Sequence, residues 1–494
     1  MSTCPESSDD IRMKGFARRS TVAEALAWLD AHVARLDEEV VLLAEAAGRV
    51  LAGEVTSAVN VPGFDRAMMD GFALRAADTQ GASPYNRIAL TVIGESLPGR
   101  GDCPNFRGHH AQHGRENGTA PFLGSAEGDS PVFADTKTGT VPLAPGQAVR
   151  IMTGAPMPDG ADAVLPAELV EIEAGRVCAQ GEVSPGKHVG RVGEDIAAGS
   201  VVLPAGRVLR PQDIGVLASI GMGDVPVVRR PRVRIVITGD ELLPAGSTPV
   251  GCRIVDANGP MLAALVARDG GMPINPGIVA DRPEEILAAM RTDCDVLLVS
   301  GGSSVGQEDH APRLLREYGE LAIHGIAMRP SSPAGMGRMP RRAIFQVAPS
   351  GGQDSQPLDE LGRLGKSPYE GQRLEKLPYD DEGVVLVFLL PGNPVSCLCA
   401  YDFFAGRAIR GLGGRAADWP YRRTAAPLAR KVVSTVGRLD YLRVRLVAGQ
   451  VEPLAIGGAS VLSSTTRADG FVLVPPDSEG YPPGAIVELF LYDM

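Results

Sequence analysis

A chain of 494 residues exceeds the roughly 250–300 at which a single core stops growing, so about three domains are expected. Hydrophobic residues at 44% and charged residues at 22% are an ordinary globular mix, while a net charge of −11 without a Lys/Arg run excludes a general nucleic-acid surface. Seven cysteines, an odd number with no Cys-x-x-Cys pair, argue against a disulfide framework and a structural zinc site.

The start, MSTCPESSDD, has no basic stretch followed by an apolar one, and the longest strongly apolar run, residues 384–390, is too short to span a bilayer. A soluble cytoplasmic protein with reduced thiols and no membrane partner is expected. Residues 21–50 read as helix, with Val22, Leu26, Leu29, Val33 and Leu36 at three- and four-residue spacing, Thr21 placed to cap it and Gly48 ending or interrupting it. From about residue 55 to 199 short β-type runs (ALTVIG, QAVRIM, ADAVLPAE) separated by Gly and Pro predict a β-rich lobe.

Two polar passages, about 97–139 and 349–381, look like long surface insertions. The first carries His109, His110 and His113, which either bind a metal or belong to a solvated loop. From 233 to about 415 the rhythm becomes strand, Gly/Ser/Pro loop, helix (VRIVITGDE, MLAALVARDG, DVLLVSGG, APRLLREYG, VVLVFLLPGN, VSCLCAYDFFAGRAI), the pattern of a doubly wound, mostly parallel α/β sheet. Short β runs return after 419 (LRVRLVAG, GFVLVPP, AIVELFLY), giving a small terminal β domain.

Ligands of such sheets bind outside the carboxyl ends of the strands. Ser300-Gly301-Gly302-Ser303-Ser304-Val305-Gly306 follows one apolar strand, and Pro391-Gly392-Asn393-Pro394-Val395-Ser396 follows the next, so backbone N–H groups and hydroxyls can cradle an anion there, with Ser396 available to cap the second helix. Four acids stand at corresponding ends: Asp240 and Glu241 in TGDEL, Asp256 in VDAN, and Asp309 beyond the Gly/Ser loop. Acids among phosphate-cradling loops suggest Mg2+, which binds through one or two carboxylates plus phosphate oxygens; each could instead cap a helix. In the lobe, Asp70 beside Gly71 and Thr153 before Gly154 are weaker signals that a salt bridge or a turn explains as well.

In order, FDRAMMDGFA, RIMTGAPMPDGADAV, GEDIAAG, TGDEL, VDAN, SGGSSVGQED and LPGNPVS resemble the molybdopterin molybdenumtransferase family, which includes the E domain of gephyrin; the likeness covers nearly all of the chain outside the insertions. The resemblance implies a multidomain α/β plus β subunit. Its parts would be a split helical and mixed domain (15–58 and 199–230), an inserted β-rich lobe (59–198), a central α/β molybdopterin-binding domain (231–418) and a C-terminal β barrel (419–494). It implies a homodimer in which Asp70 and Thr153 approach the other chain's carboxylates. The implied reaction inserts molybdate into adenylylated molybdopterin with Mg2+-dependent release of AMP. Small-molecule substrates, an upstream adenylyltransferase and a downstream molybdoenzyme would be its partners.

Carried over residue by residue, Asp256, Asp309 and Glu241 would serve metal and adenylyl phosphate, with Asp70 as a further catalytic acid. Ser300, Gly301, Gly302, Ser303, Ser304 and Gly306 would hold the pterin or its phosphate; Pro391, Gly392, Asn393, Pro394 and Ser396 would form the facing wall; Ser463 or Ser464 would come from the terminal domain. Where the family usually has Pro-Gly-Lys-Pro preceded by a Lys, this chain has Arg329-Pro330-Ser331-Ser332-Pro333, with one cation retained in Arg329 and a hydroxyl, Ser332, in place of the inner lysine. Arg338, Arg341 and Arg342 either restore that charge or are solvated. Cys397 and Cys399 read as buried small residues, a sulfur relay being the alternative. Besides the inserting enzyme, the sequence admits a non-inserting carrier of molybdopterin, supported by the altered loop, and a gephyrin-like scaffold.

Overall fold

The computed structural model describes residues 19–99, 142–173, 176–291, 293–301, 310–341, 383–455 and 458–492. The two insertions therefore lie almost wholly outside the described residues, with His109, His110, His113 and Arg342, and so do Gly302, Ser303, Ser304, Gly306 and Asp309. Two compact units emerge: Met1–Ala52 with Gly206–Arg210 and Val225–Met494, and Gly53–Ala205 with Pro211–Asp224.

The larger unit is built on a seven-stranded sheet. Arg232–Thr238 runs parallel to Met272–Ile274 and Ile278–Val279 on one side and to Val296–Ser300 on the other, which in turn pairs parallel with Val384–Leu390. Gly335–Pro340 then runs antiparallel to Val384–Leu390, and Glu320–His324 antiparallel to it. Both faces are covered because alternate residues of each strand point to opposite sides. Val233, Ile235, Ile237, Leu298 and Phe388 enter a core with the helix Asn258–Arg268 and with the helical stretch that starts at Pro394–Ala400. Val236, Leu297, Val299, Val387 and Leu389 enter another with Pro283–Met290 and His310–Tyr318. Each such side chain contributes about 1.5–3 kcal/mol of burial, which is why these runs are continuous in apolar residues.

The N-terminal helix is shorter than its spacing suggests. It spans Val22–His32, with Thr21 and Glu24 forming a reciprocal capping box, and a strand Glu38–Leu42 follows. Leu36 keeps the helical spacing without the helix: its N–H donates to the Leu412 carbonyl at 2.9 Å and its side chain packs on the core from an extended segment. Tertiary contact, rather than helical repetition, places it there.

The terminal domain is a six-stranded sheet in the order Met328–Arg329, Leu439–Val447, Gly470–Val474, Ile486–Leu491, Arg422–Pro427, with Gln450–Ala455 also on Leu439–Val447. The Leu428–Val451 bridge and the bond from the Ala429 N–H to the Val451 carbonyl at 2.9 Å join the segment after Arg422–Pro427 to Gln450–Ala455. The smaller unit carries another six-stranded sheet, in the order Ala163–Pro166, Gly71–Leu74, Gln147–Ile151, Ile88–Ser96, Arg176–Ala179, Val170–Glu173, as its β-rich sequence predicts. Among the described residues no helix is long and apolar enough to cross a membrane.

Candidate functional site

At the carboxyl edge of the central sheet Ser300–Gly301, the Pro391–Pro394 turn and the VDAN segment meet. Asp256 follows the short strand Ile254–Val255 and is buried; its N–H donates to the Leu243 carbonyl, and its Oδ1 accepts the Gly259 N–H at 2.9 Å. The carboxylate thus stabilises the first turn of the helix Asn258–Arg268, the capping role open to any of these acids. Among the described residues its second oxygen has no hydrogen-bond partner. Gly259 is required by this approach, since a Cβ there would fall 2.4 Å from Asp256 Oδ2 and 2.9 Å from Asn275 Nδ2.

Asn258 joins the loops. Its Nδ2 donates to Ser300 Oγ at 3.0 Å and to the Gly392 carbonyl at 2.8 Å, so one buried amide bridges the end of Val296–Ser300 and the Pro391–Pro394 turn. Gly301, at a φ of 102° that favours glycine, passes so close to Thr238 that a Cβ would overlap its carbonyl oxygen at 2.1 Å. A Cβ on Gly392 would in turn lie 3.8 Å from Gly301 Cα. The terminal domain reaches the same place, because the Val395 N–H donates to the Ala459 carbonyl at 3.0 Å. Ser463 is exposed a few residues further on, and Ser464 is buried with its hydroxyl donating to the Val461 carbonyl at 2.6 Å.

Ser396 corrects one expectation. The helix begins at Pro394 with Asn393 as its first flanking residue and no side-chain cap, so Ser396 lies inside it and is buried. Its carbonyl instead accepts from Ser331 Oγ at 2.5 Å, fastening the 329–334 loop to the helix. Cys397 Sγ is 3.7 Å from Ser300 Oγ, and burial pushes its thiol up to about 12. It remains protonated, as does Cys399, raised by burial and by Asp402, which fits packing residues better than a sulfur relay.

Glu241 and Asp240 are exposed beside this edge. The Glu241 carboxylate folds over Gly239, where a Cβ would meet Oε2 at 2.7 Å. Asp281, which the sequence reading passed over, accepts from Thr238 Oγ1 at 2.9 Å, and its N–H donates to Asp240 Oδ1 at 3.3 Å. Its sequence signal was an acid two residues after the apolar pair Ile278–Val279 and two before the helix-starting Pro283. Among the described residues no three His, Cys, Asp or Glu side chains form a metal cluster.

The cations of the altered loop are engaged elsewhere. Arg329 pairs with Asp440, which is fully buried and also accepts from Ser434 Oγ at 2.7 Å and Arg438 Nε at 3.1 Å. Arg338 Nε pairs with Glu320 at 2.6 Å, and Arg341 with Asp295 at 2.6 Å, so neither restores the missing lysine charge. Ser332 Oγ is buried without a hydrogen-bond partner among the described residues.

In the smaller unit Asp70 and Thr153 meet because Gly71–Leu74 and Gln147–Ile151 are antiparallel neighbours, with Gly71 opposite Ile151, so the start of one and the end of the other share an edge. Asp70 Oδ1 accepts from the Thr153 N–H at 2.6 Å and from its hydroxyl at 2.7 Å, and these bonds lower the carboxyl's pKa although the group is exposed. Glu194 of GEDIAAG is structural, pairing with Arg66 at 3.4 Å.

Comparison with known proteins agrees along the whole chain. Residues 20–221 match the family model described as "MoeA N-terminal region (domain I and II)", 234–358 that described as "Probable molybdopterin binding domain", and 425–492 that described as "MoeA C-terminal region (domain IV)". Molybdopterin molybdenumtransferase 1 of Mycobacterium tuberculosis is 30% identical over 464 residues, 91% of this chain and 93% of that one. Molybdopterin molybdenumtransferase of a Nostoc species is 32% identical over 387 residues, 78% and 71% of the two chains. The crystal structure of the molybdopterin biosynthesis MoeA protein of Pyrococcus horikoshii is 27% identical and superposes with a TM-score of 0.66, covering 96% of this chain and 100% of that one.

Proposed function

Because the chain belongs to the molybdopterin molybdenumtransferase family, an enzyme family of molybdenum-cofactor biosynthesis, we propose that it inserts molybdate into adenylylated molybdopterin and releases AMP at the carboxyl edge of its central sheet. The observation that supports this location is that the Asn258 amide joins Ser300 to Gly392 while the N–H of the next residue, Gly259, holds Asp256.

Mg2+ fits this edge in donor chemistry. The ion needs only one or two protein carboxylates when substrate phosphate and water complete its shell, and Asp256 offers an oxygen not used by the helix cap. Asp256, with Glu241 and Asp309, would hold it, and when bound it neutralises charge developing on the leaving phosphate. The protein's own part is placement. Ser300 and the Gly392 turn fix the pterin side of the substrate, the Ser331–Ser396 contact closes the wall beside it, and the terminal-domain loop at Ala459 brings Ser463 within the same neighbourhood. In a homodimer, the Asp70–Thr153 pair of the partner subunit would supply a further anionic edge.

Single-turnover AMP release from adenylylated molybdopterin, with and without molybdate, followed by metal analysis of the bound pterin, tests the proposal. Molybdate-dependent release with molybdenum retained is expected; tight pterin binding with neither release nor metal uptake would leave a carrier. That second reading has a specific observation in its favour, the commitment of Arg329 to buried Asp440 and not to an incoming oxyanion. Sizing chromatography with light scattering checks the dimer.

A further inference from the structure

Asn258 is 8% exposed, and both protons of its amide are engaged, one by Ser300 Oγ and one by the Gly392 carbonyl. Its Oδ1 is buried and has no hydrogen-bond partner among the described residues. Turning the amide over would set its oxygen against the Gly392 carbonyl, acceptor against acceptor, so the orientation is dictated by the two loops alone. A buried acceptor left unmet costs about 1–3 kcal/mol, and native proteins leave few of them. A side chain selected for stability at this position would be apolar or fully satisfied.

From this imbalance we propose that Asn258 is a positioning residue for the reaction, one that sets the spacing of the Ser300 strand end and the Gly392 turn. The proposal rests on the function assigned above and deepens it. The two loops leave different strands and are joined laterally by this amide, and Gly301 has no room for a side chain of its own against the Thr238 carbonyl. Asn258 also stands one residue before Gly259, whose N–H holds Asp256, so the same helical turn orders the acid and both loops. Local rules broken in favour of geometry mark functional positions.

The decisive variant is Asn258→Leu, close in volume but without donors or the orphan acceptor. Leu removes the unmet acceptor but leaves the Gly392 carbonyl without its donor, so a positioning role predicts a melting temperature within a few degrees of the parent, with kcat for AMP release about tenfold lower or more and KM changed less, a pattern of lost transition-state alignment. Asn258→Gln, which keeps the donor protons on a longer arm, should recover part of that rate. An Asn258→Leu enzyme that is stable and fully active overturns the proposal, and so does one whose activity loss only follows its loss of folded protein. Should it not fold, Ser300→Ala removes one tie and keeps the amide: unchanged kcat there overturns the proposal, and a severalfold fall at unchanged melting temperature supports it. If the parent protein itself releases no AMP, the assigned reaction fails instead, and that outcome is read before any variant is made.

Discussion

Acids at the two ends of the central sheet are treated differently. Asp295, at the amino end just before Val296–Ser300, accepts both terminal nitrogens of Arg229 at 2.9 Å, Arg341 at 2.6 Å and the Arg232 N–H at 2.7 Å. Burial pushes its pKa up, and those arginines and the N–H pull it down further, so it stays ionised inside a balanced cluster. Asp256, at the carboxyl end, is held by a backbone N–H, and Asp70 in the lobe by an N–H and a hydroxyl. Neutral donors orient a carboxylate without cancelling its charge. An acid matched by arginines is structural; an acid matched by N–H groups keeps a full negative charge and a spare oxygen for a cation that arrives with substrate.

The largest effect should separate these classes. Asp256→Ala is expected to lower single-turnover AMP release about a hundred- to a thousandfold, while lost capping of Gly259 costs only about 1 kcal/mol of stability. Release within threefold of the parent would remove Asp256 from the chemistry. Asp295→Ala should do the reverse. Its arginines are partly exposed and can turn to water, so the cost is about 2–3 kcal/mol in urea unfolding, below the usual figure for breaking a buried pair, with kcat unchanged for the folded fraction. A fall in kcat at full occupancy of the native state would break the distinction between the two ends.

The same distinction explains what was legible in the sequence. Strand runs such as VRIVIT and VLLVS declare themselves because burial on both faces requires continuous apolar text, and the loops after them follow from where those strands end. The Asp70–Thr153 contact was not legible, since it depends on an antiparallel register between strands far apart in sequence. Asn258 was passed over inside VDAN because an asparagine before a glycine looks like a turn, and only the third dimension shows Ser300 and Gly392 on either side of it. The Arg329–Asp440 pair was not legible for a similar reason: the two lie 111 residues apart and meet only because Met328–Arg329 runs parallel to Leu439–Val447.

A smaller effect concerns that loop. With Arg329, Arg338 and Arg341 all paired, the Ser332 hydroxyl sits where a lysine would bring an unmatched positive charge. Ser332→Lys should raise molybdate-dependent turnover about three- to tenfold, the scale of one added charge interaction at a partly exposed site, and should make that gain sensitive to salt. Unchanged turnover would mean that another donor already meets the oxyanion.

The smallest expected effect tests the acid held by neutral donors outside the central sheet. Asp70 should titrate below its ordinary value of 3.8, first because of the Thr153 N–H and second because of the Thr153 hydroxyl. Thr153→Val removes only the hydroxyl, so carbon-detected NMR of the Asp70 carboxyl should show its titration moving part of the way back, not all of it. A depressed folded-state value stabilises the fold above the unfolded value, and that contribution is lost as pH falls through the folded one. The stability gap between parent and Thr153→Val should therefore be constant near neutrality and close only below pH 3.8. A carboxyl titrating at or above its ordinary value would show that the two bonds do not hold in solution. Since Asp70 is ionised in both proteins at neutral pH, any loss of AMP release there in Thr153→Val reports a misplaced carboxylate and not a discharged one.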